Sequence, residues 1–174
     1  MAASTNEMIR VLKTAIEVEK NGYETFKKLA EKTADENGKR MFTQLAKDEI
    51  EHKELLEKQL EHLHAGGSIK SVVIPKSEVE SLIPKIREKQ QRLKGEAGLG
   101  EVDALTTALD LERKAGNFFR EKAAELDNPD LKDMFIRLAE WEDSHYDLIQ
   151  AELDSINSSG MWFGLPEFQM DGLY

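Results

Sequence analysis

Glu49 and His52 stand one helical turn apart in the stretch Lys39 to Leu63, KRMFTQLAKDEIEHKELLEKQLEHL. A carboxylate and an imidazole at that spacing project from one side of a helix, and together they suit iron, manganese or zinc. Phe42, Leu45, Glu49, His52, Leu56 and Leu63 fall on one heptad seam, so the acid and the imidazole face the core. An ionised carboxylate in that position is costly unless something positive meets it. The pattern returns 93 residues later in Lys132 to Ile156, KDMFIRLAEWEDSHYDLIQAELDSI, with Phe135, Leu138, Glu142, His145, Ile149 and Ile156 in the matching places. Two such helices bring two Glu and two His together.

The elements that must position these residues are legible in the same periodicity. Ser4 and Glu7 form a capping-box signal, followed by Leu12, Ala15, Ile16, Glu19, Tyr23, Phe26 and Ala30 at helical spacing. The cluster from Thr33 to Gly38 breaks this first helix, and the second runs until Gly66 and Gly67 stop it. The short loop implies an antiparallel pair. A third helix is predicted from about Glu101 to Leu126, with Leu105, Ala108, Leu109, Glu112, Ala115, Phe119 and Ala123 on one face. Asn128 and Pro129 make a cap and first-turn pair for a fourth helix, ending near Ser158 to Gly160.

Between the hairpins, residues 66–100 are richer in Gly, Ser, Lys and Val and contain Pro75 and Pro84, which excludes one uninterrupted helix. A second capping box at Ser77 and Glu80 points to a short helix within this connection, which Pro84 either breaks or restarts. Its length is enough to return the chain along a bundle about 45 Å long. The expected fold is therefore all-α: two antiparallel hairpins joined by a long crossover, with residues 1–160 as the bundle.

The second hairpin repeats the first. Sliding Ala15–Leu63 onto Ala108–Ile156 without a gap gives 13 identities in 49 positions, against about three from shared composition. Glu19 matches Glu112, Phe26 matches Phe119, Glu49 matches Glu142 and His52 matches His145. A lone Glu-x-x-His in a Glu-rich chain says little, but duplication in register with two further seam acids points to a dinuclear site.

Composition narrows the function classes. The 174 residues suit one domain. A net charge of −10 argues against nucleic acid, whose phosphates need clustered Lys and Arg. The opening MAASTNEMIR lacks an apolar signal region and no window approaches the length of a membrane span, so a cytoplasmic location and no membrane partner are expected. There is no cysteine, hence no disulfide, no thiolate nucleophile and no Cys-ligated iron centre, and any metal must be held by nitrogen and oxygen.

With these residues in view, the chain resembles the ferritin-like di-iron carboxylate superfamily over nearly its whole length, and within it the rubrerythrin-like branch, through AIEVEKNGYETF, LAKDEIEHKELLEK and the terminal MWFGLPEF. The resemblance implies a ferritin-like four-helix bundle holding two iron ions, with manganese or zinc as other occupants. It assigns Glu19 and Glu112 as terminal carboxylates, Glu49 and Glu142 as bridges between the metals, and His52 and His145 as one imidazole for each. Glu19 is preferred to Glu17 because it aligns with Glu112 and stays in the seam, whereas Glu17 and Asp110 point toward solvent. Two departures stand out: Phe26 and Phe119 occupy the place of a tyrosine that hydrogen-bonds the site in many relatives, and Ala115 and its repeat Gly22 occupy the place of a further ligand Glu. Small residues there either leave space beside the metals for dioxygen or peroxide or permit close helix packing.

The activity implied is that of an oxidoreductase reacting with hydrogen peroxide or dioxygen, with electrons from an external donor. The alternative implied is a ferritin-like protein that oxidises Fe(II) to store it. His62 and His64 are read as ending helix two against its dipole rather than as ligands, Tyr23 and Trp141 as packing ahead of donating a hydrogen bond or an electron to the site, and Met41 and Met134 as core filling. The apolar tail, 161–174, is expected to dock on the bundle or on a partner subunit, and a homo-oligomer, with a dimer favoured, is expected.

Overall fold

A computed structural model of the chain describes residues 5–71 and 99–162. The helical periodicity produces four helices and no strand among the described residues: α1 (Thr5–Lys32), α2 (Glu36–His64), α3 (Leu99–Glu125) and α4 (Pro129–Ser159). α3 begins slightly before the Glu101 start expected from its periodicity. The capping residue Ser4, the second capping box at Ser77 and Glu80, and Pro84 lie outside the described residues.

The helix ends are fixed by side chains that satisfy otherwise unpaired backbone groups. The Asp35 carboxylate accepts from the backbone N–H of Asn37 and Gly38 at 2.8 and 3.2 Å, starting α2. Asn128 accepts from the N–H of Leu131 at 2.9 Å, with Pro129 in the first turn of α4. Gly160 ends α4 at φ 68°, a left-handed conformation that a side chain disfavours, and donates to the Ile156 carbonyl.

α1 packs along α2 and α3 along α4, and between the hairpins the backbones come together mainly where α1 touches α3, while side chains of α2 and α4 also meet. The core divides into two apolar layers. One contains Phe26, Phe42, Leu45, Leu105, Ile149 and Ile156, and the other Leu12, Leu56, Phe119, Phe135 and Leu138. The polar seam residues lie between them in every helix: Ile16 and Phe26 flank Glu19, Leu45 and Leu56 flank Glu49 and His52, Leu109 and Ala115 flank Glu112, and Leu138 and Leu148 flank Glu142 and His145. The repeat is visible on either side of this layer. Phe26 stacks on Phe42 with ring centroids 6.3 Å apart, and Phe119 meets Phe135 edge-on at 5.4 Å.

Trp162 closes one end of the bundle. Its ring packs edge-on against Phe42 at 5.9 Å, and its indole N–H donates to Glu101 at 2.9 Å. Residues 163–174 of the apolar tail lie outside the described residues. No described helix is long and apolar enough to cross a membrane.

Candidate metal centre

All six seam residues, Glu19, Glu49, His52, Glu112, Glu142 and His145, are buried, none more than 2% exposed. They converge in two overlapping groups whose potential ligand atoms lie within 4.8 Å of one another: Glu19, Glu49, His52 and Glu142 in one, and Glu49, Glu112, Glu142 and His145 in the other. Glu49 and Glu142 belong to both. Each helix contributes: Glu19 from α1, Glu49 and His52 from α2, Glu112 from α3, and Glu142 and His145 from α4.

The distances are those of groups gathered around a centre. His52 Nδ1 lies 3.4 Å from Glu19 and 3.3 Å from Glu142, and His145 Nδ1 lies 3.3 Å from Glu112, 3.5 Å from Glu49 and 3.9 Å from Glu142. The two imidazole rings face each other at 5.7 Å and 15°. Both carboxylate oxygens of Glu19, Glu112 and Glu142, Oε1 of Glu49, both nitrogens of His52 and Nδ1 of His145 are buried without a well-aligned hydrogen bond. Such unsatisfied atoms each cost about 1–3 kcal/mol, more when charged, and bound divalent cations would satisfy them together. Four carboxylates would also neutralise two divalent ions, removing the repulsion among buried acids. The donor set, oxygen and imidazole nitrogen, therefore fits hard and borderline divalent cations.

The electrostatics follow from this crowding. Burial pushes the carboxyls of Glu19, Glu49 and Glu112 well above the usual range, and the nearby charge of Glu142 adds to the rise in each. Burial pushes Glu142 up as well, but contact with Glu112 and His52 and attraction to His52 and His145 hold it down at about 2. For His145, burial opposes the charged imidazolium, yet the Glu112 charge and contacts with Asp48, Glu112 and Glu49 raise it well above the ordinary histidine value. In the metal-free cluster three acids and His145 thus hold protons more tightly than usual, and Glu142 less tightly. Metal entry would displace these protons.

Other residues singled out in the sequence lie elsewhere. Glu17 is exposed beside Lys20, and Asp110 pairs with Arg113 and Lys114, both acids pointing away from the cluster. Tyr23 packs against the outer side of one apolar layer, and His62 and His64 sit in the last turn of α2. Trp141 packs directly on His52, ring centroids 4.3 Å apart. Gly22 is explained by close approach: a Cβ there would stand 2.7 Å from Oε2 of Glu49, so the carboxylate occupies the space a side chain would need. Beside it, a cleft of about 340 Å³ between α1 and α3, lined by Asn21, Gly22, Thr25, Lys114 and Ala115, reaches Glu49.

Sequence reasoning missed Asp48. Its Oδ2 lies 3.2 Å from Nε2 of His145, and Gln44 donates to its Oδ1 at 2.8 Å. The available signal was local: Asp48 directly precedes Glu49 at the edge of the seam, four residues after Gln44.

Two antiparallel hairpins enclosing a mid-height layer of four glutamates and two histidines define a ferritin-like carboxylate protein. The rubrerythrin family profile matches residues 10–153, and the chain belongs to that family. No curated protein and no solved structure matches the chain.

Proposed function

We propose that the chain is a di-iron oxidoreductase that reduces hydrogen peroxide or dioxygen. The observation that carries this reading is the sharing of Glu49 and Glu142 by two otherwise separate ligand groups, which suits a pair of ions bridged by two carboxylates. Glu19 and His52 would complete one position, and Glu112 and His145 the other. Bound iron would supply the one-electron steps between its ferrous and ferric states.

The protein's own residues set the conditions for that chemistry. The apolar layers around Phe26 and Phe42, and around Phe119 and Phe135, exclude water above and below the cluster. The cleft beside Gly22 and Ala115 supports approach of a small oxidant to the Glu49 side, between α1 and α3.

These 174 residues contain no cysteine, so a rubredoxin-type relay is absent from them and a separate protein is proposed as electron donor. A homodimer is proposed from the apolar tail beyond Met161, and a sedimentation mass near 19.8 kDa would rule it out. The test of function is anaerobic loading with Fe(II) followed by stopped-flow mixing with hydrogen peroxide. A fast rise in ferric absorption, reversed by added reductant over repeated cycles, is the expected result. No oxidation by peroxide or dioxygen overturns the reading, while accumulation of many irons per chain without cycling replaces it with storage.

A further inference from the structure

The two halves of the cluster are not supported alike. In the 93-residue repeat the position of Asp48 in α2 corresponds to that of Trp141 in α4, so one half has a carboxylate where the other has an indole. In the half containing His145, the outer ring nitrogen Nε2 meets Asp48 at 3.2 Å, and Asp48 is itself held by Gln44 at 2.8 Å. In the half containing His52, the indole of Trp141 lies against the imidazole at 4.3 Å and 48°. His52 Nε2 has no hydrogen-bond partner among the described residues, and neither does the buried indole nitrogen of Trp141. The repeat of Gln44 is Arg137, which pairs with Glu140 at 2.9 Å.

This difference acts on the ligands. A carboxylate on the far nitrogen of a ligating histidine fixes the tautomer, holds the ring in place and makes the ligating nitrogen a stronger donor, and losing such a partner weakens metal binding roughly 10- to 100-fold. An indole face packs the ring and excludes water but accepts no proton from it. The carboxylate ligands do not compensate, because Glu49 and Glu142 belong to both groups and Glu19 and Glu112 are equivalent by the repeat.

We propose that the two metal positions are inequivalent: the position bounded by Glu112 and His145 fills first and tightly, and the position bounded by Glu19 and His52 fills second and exchanges its ion. Asp48 is the positioning residue that creates the difference, and Trp141 marks the half without it. The proposal rests on the metal-binding reading above and goes beyond it by ranking the two positions.

The probe is Co(II) alone, titrated anaerobically into the metal-stripped full chain and followed by the absorption of the bound ion, with circular dichroism checking that each variant is helical. The wild type is expected to bind two ions in separable steps differing about 10- to 100-fold in affinity. Asp48→Asn is expected to weaken the first step toward the second and leave the second unchanged, and Gln44→Ala to do the same to a smaller extent. Trp141→Asp, which offers His52 a carboxylate of its own, is expected to strengthen the second step, and should it not fold, the Asp48 variant still decides. Two ions bound in one step of equal affinity would overturn the inequivalence and leave the dinuclear reading standing. An Asp48→Asn variant with both steps unchanged, or both weakened equally, would overturn the role of Asp48. Absence of any bound cobalt would overturn the proposal together with the metal-binding reading.

Discussion

The Glu49 carboxylate lies against the backbone of Gly22, with Oε2 2.7 Å from the point where a side chain would begin. The contact ties the choice of residue in the middle of α1 to the position of a carboxylate on α2. Glycine there lowers helix stability by about 1 kcal/mol relative to alanine, so its presence in a long helix calls for a reason, and Glu49 provides one.

Gly22→Ala is therefore expected to push Glu49 aside. Because Glu49 belongs to both ligand groups, affinity for both ions should fall roughly tenfold or more. The metal-free variant should melt close to the wild type, as the helix gain offsets the displaced contact. Metal titration with parallel thermal melts checks this, and an unchanged affinity would refute the role given to Gly22.

Removing metal should destabilise the protein. A ligand present at about 100 times its dissociation constant adds about 2.7 kcal/mol, which in a chain of this size corresponds to a midpoint shift of roughly 5–10 °C. Differential scanning calorimetry with and without a chelator measures it. Identical midpoints would show that the buried acids do not depend on cations.

The metal-free protein should lose stability as pH rises. Glu19, Glu49 and Glu112 bind protons more readily folded than unfolded, so their contribution is full below the ordinary carboxylate range and is lost as pH rises through their raised values. His145 has the same sign: its contribution is full below the ordinary histidine value and is lost as pH climbs through the raised one. Glu142 acts oppositely, stabilising above the ordinary carboxylate value and losing its effect as pH falls toward about 2. The urea midpoint of the stripped protein should thus be higher at about pH 5 than at about pH 8, while metal affinity rises over the same interval. A stripped protein more stable at the higher pH would contradict the proton inventory.

The apolar layers should carry much of the stability. Phe119 is fully buried against Phe135, and Phe119→Ala should cost about 3–5 kcal/mol in urea unfolding. Phe26→Ala, its repeat beside Phe42, should cost a similar amount. A loss below about 1 kcal/mol in either would mean that the layer rearranges freely.

The sequence made the fold and the six converging side chains legible for one reason: a heptad seam and its duplicate each state which residues face inward, and Glu19, Glu49, His52 and their repeats lie on it. The same reasoning hid Asp48. Its partner His145 is 97 residues away on the other hairpin, and its own repeat is Trp141, so a search for matched pairs passes over both. The room at Gly22 had two readings in the sequence because spacing along α1 does not report how far a carboxylate on α2 reaches. Trp162 as an end closure was equally hidden, since its seat depends on Glu101 and Phe42 from two other helices.

The central claim is that four helices hold two cations between these side chains. Anaerobic incubation with excess Fe(II), removal of unbound metal and iron counting per chain test it most directly, with Glu142→Ala alongside. Two irons per wild-type chain and fewer than one in the variant are expected, because Glu142 belongs to both ligand groups. A wild-type chain that retains no iron, or a variant that retains as much as the wild type, would contradict it.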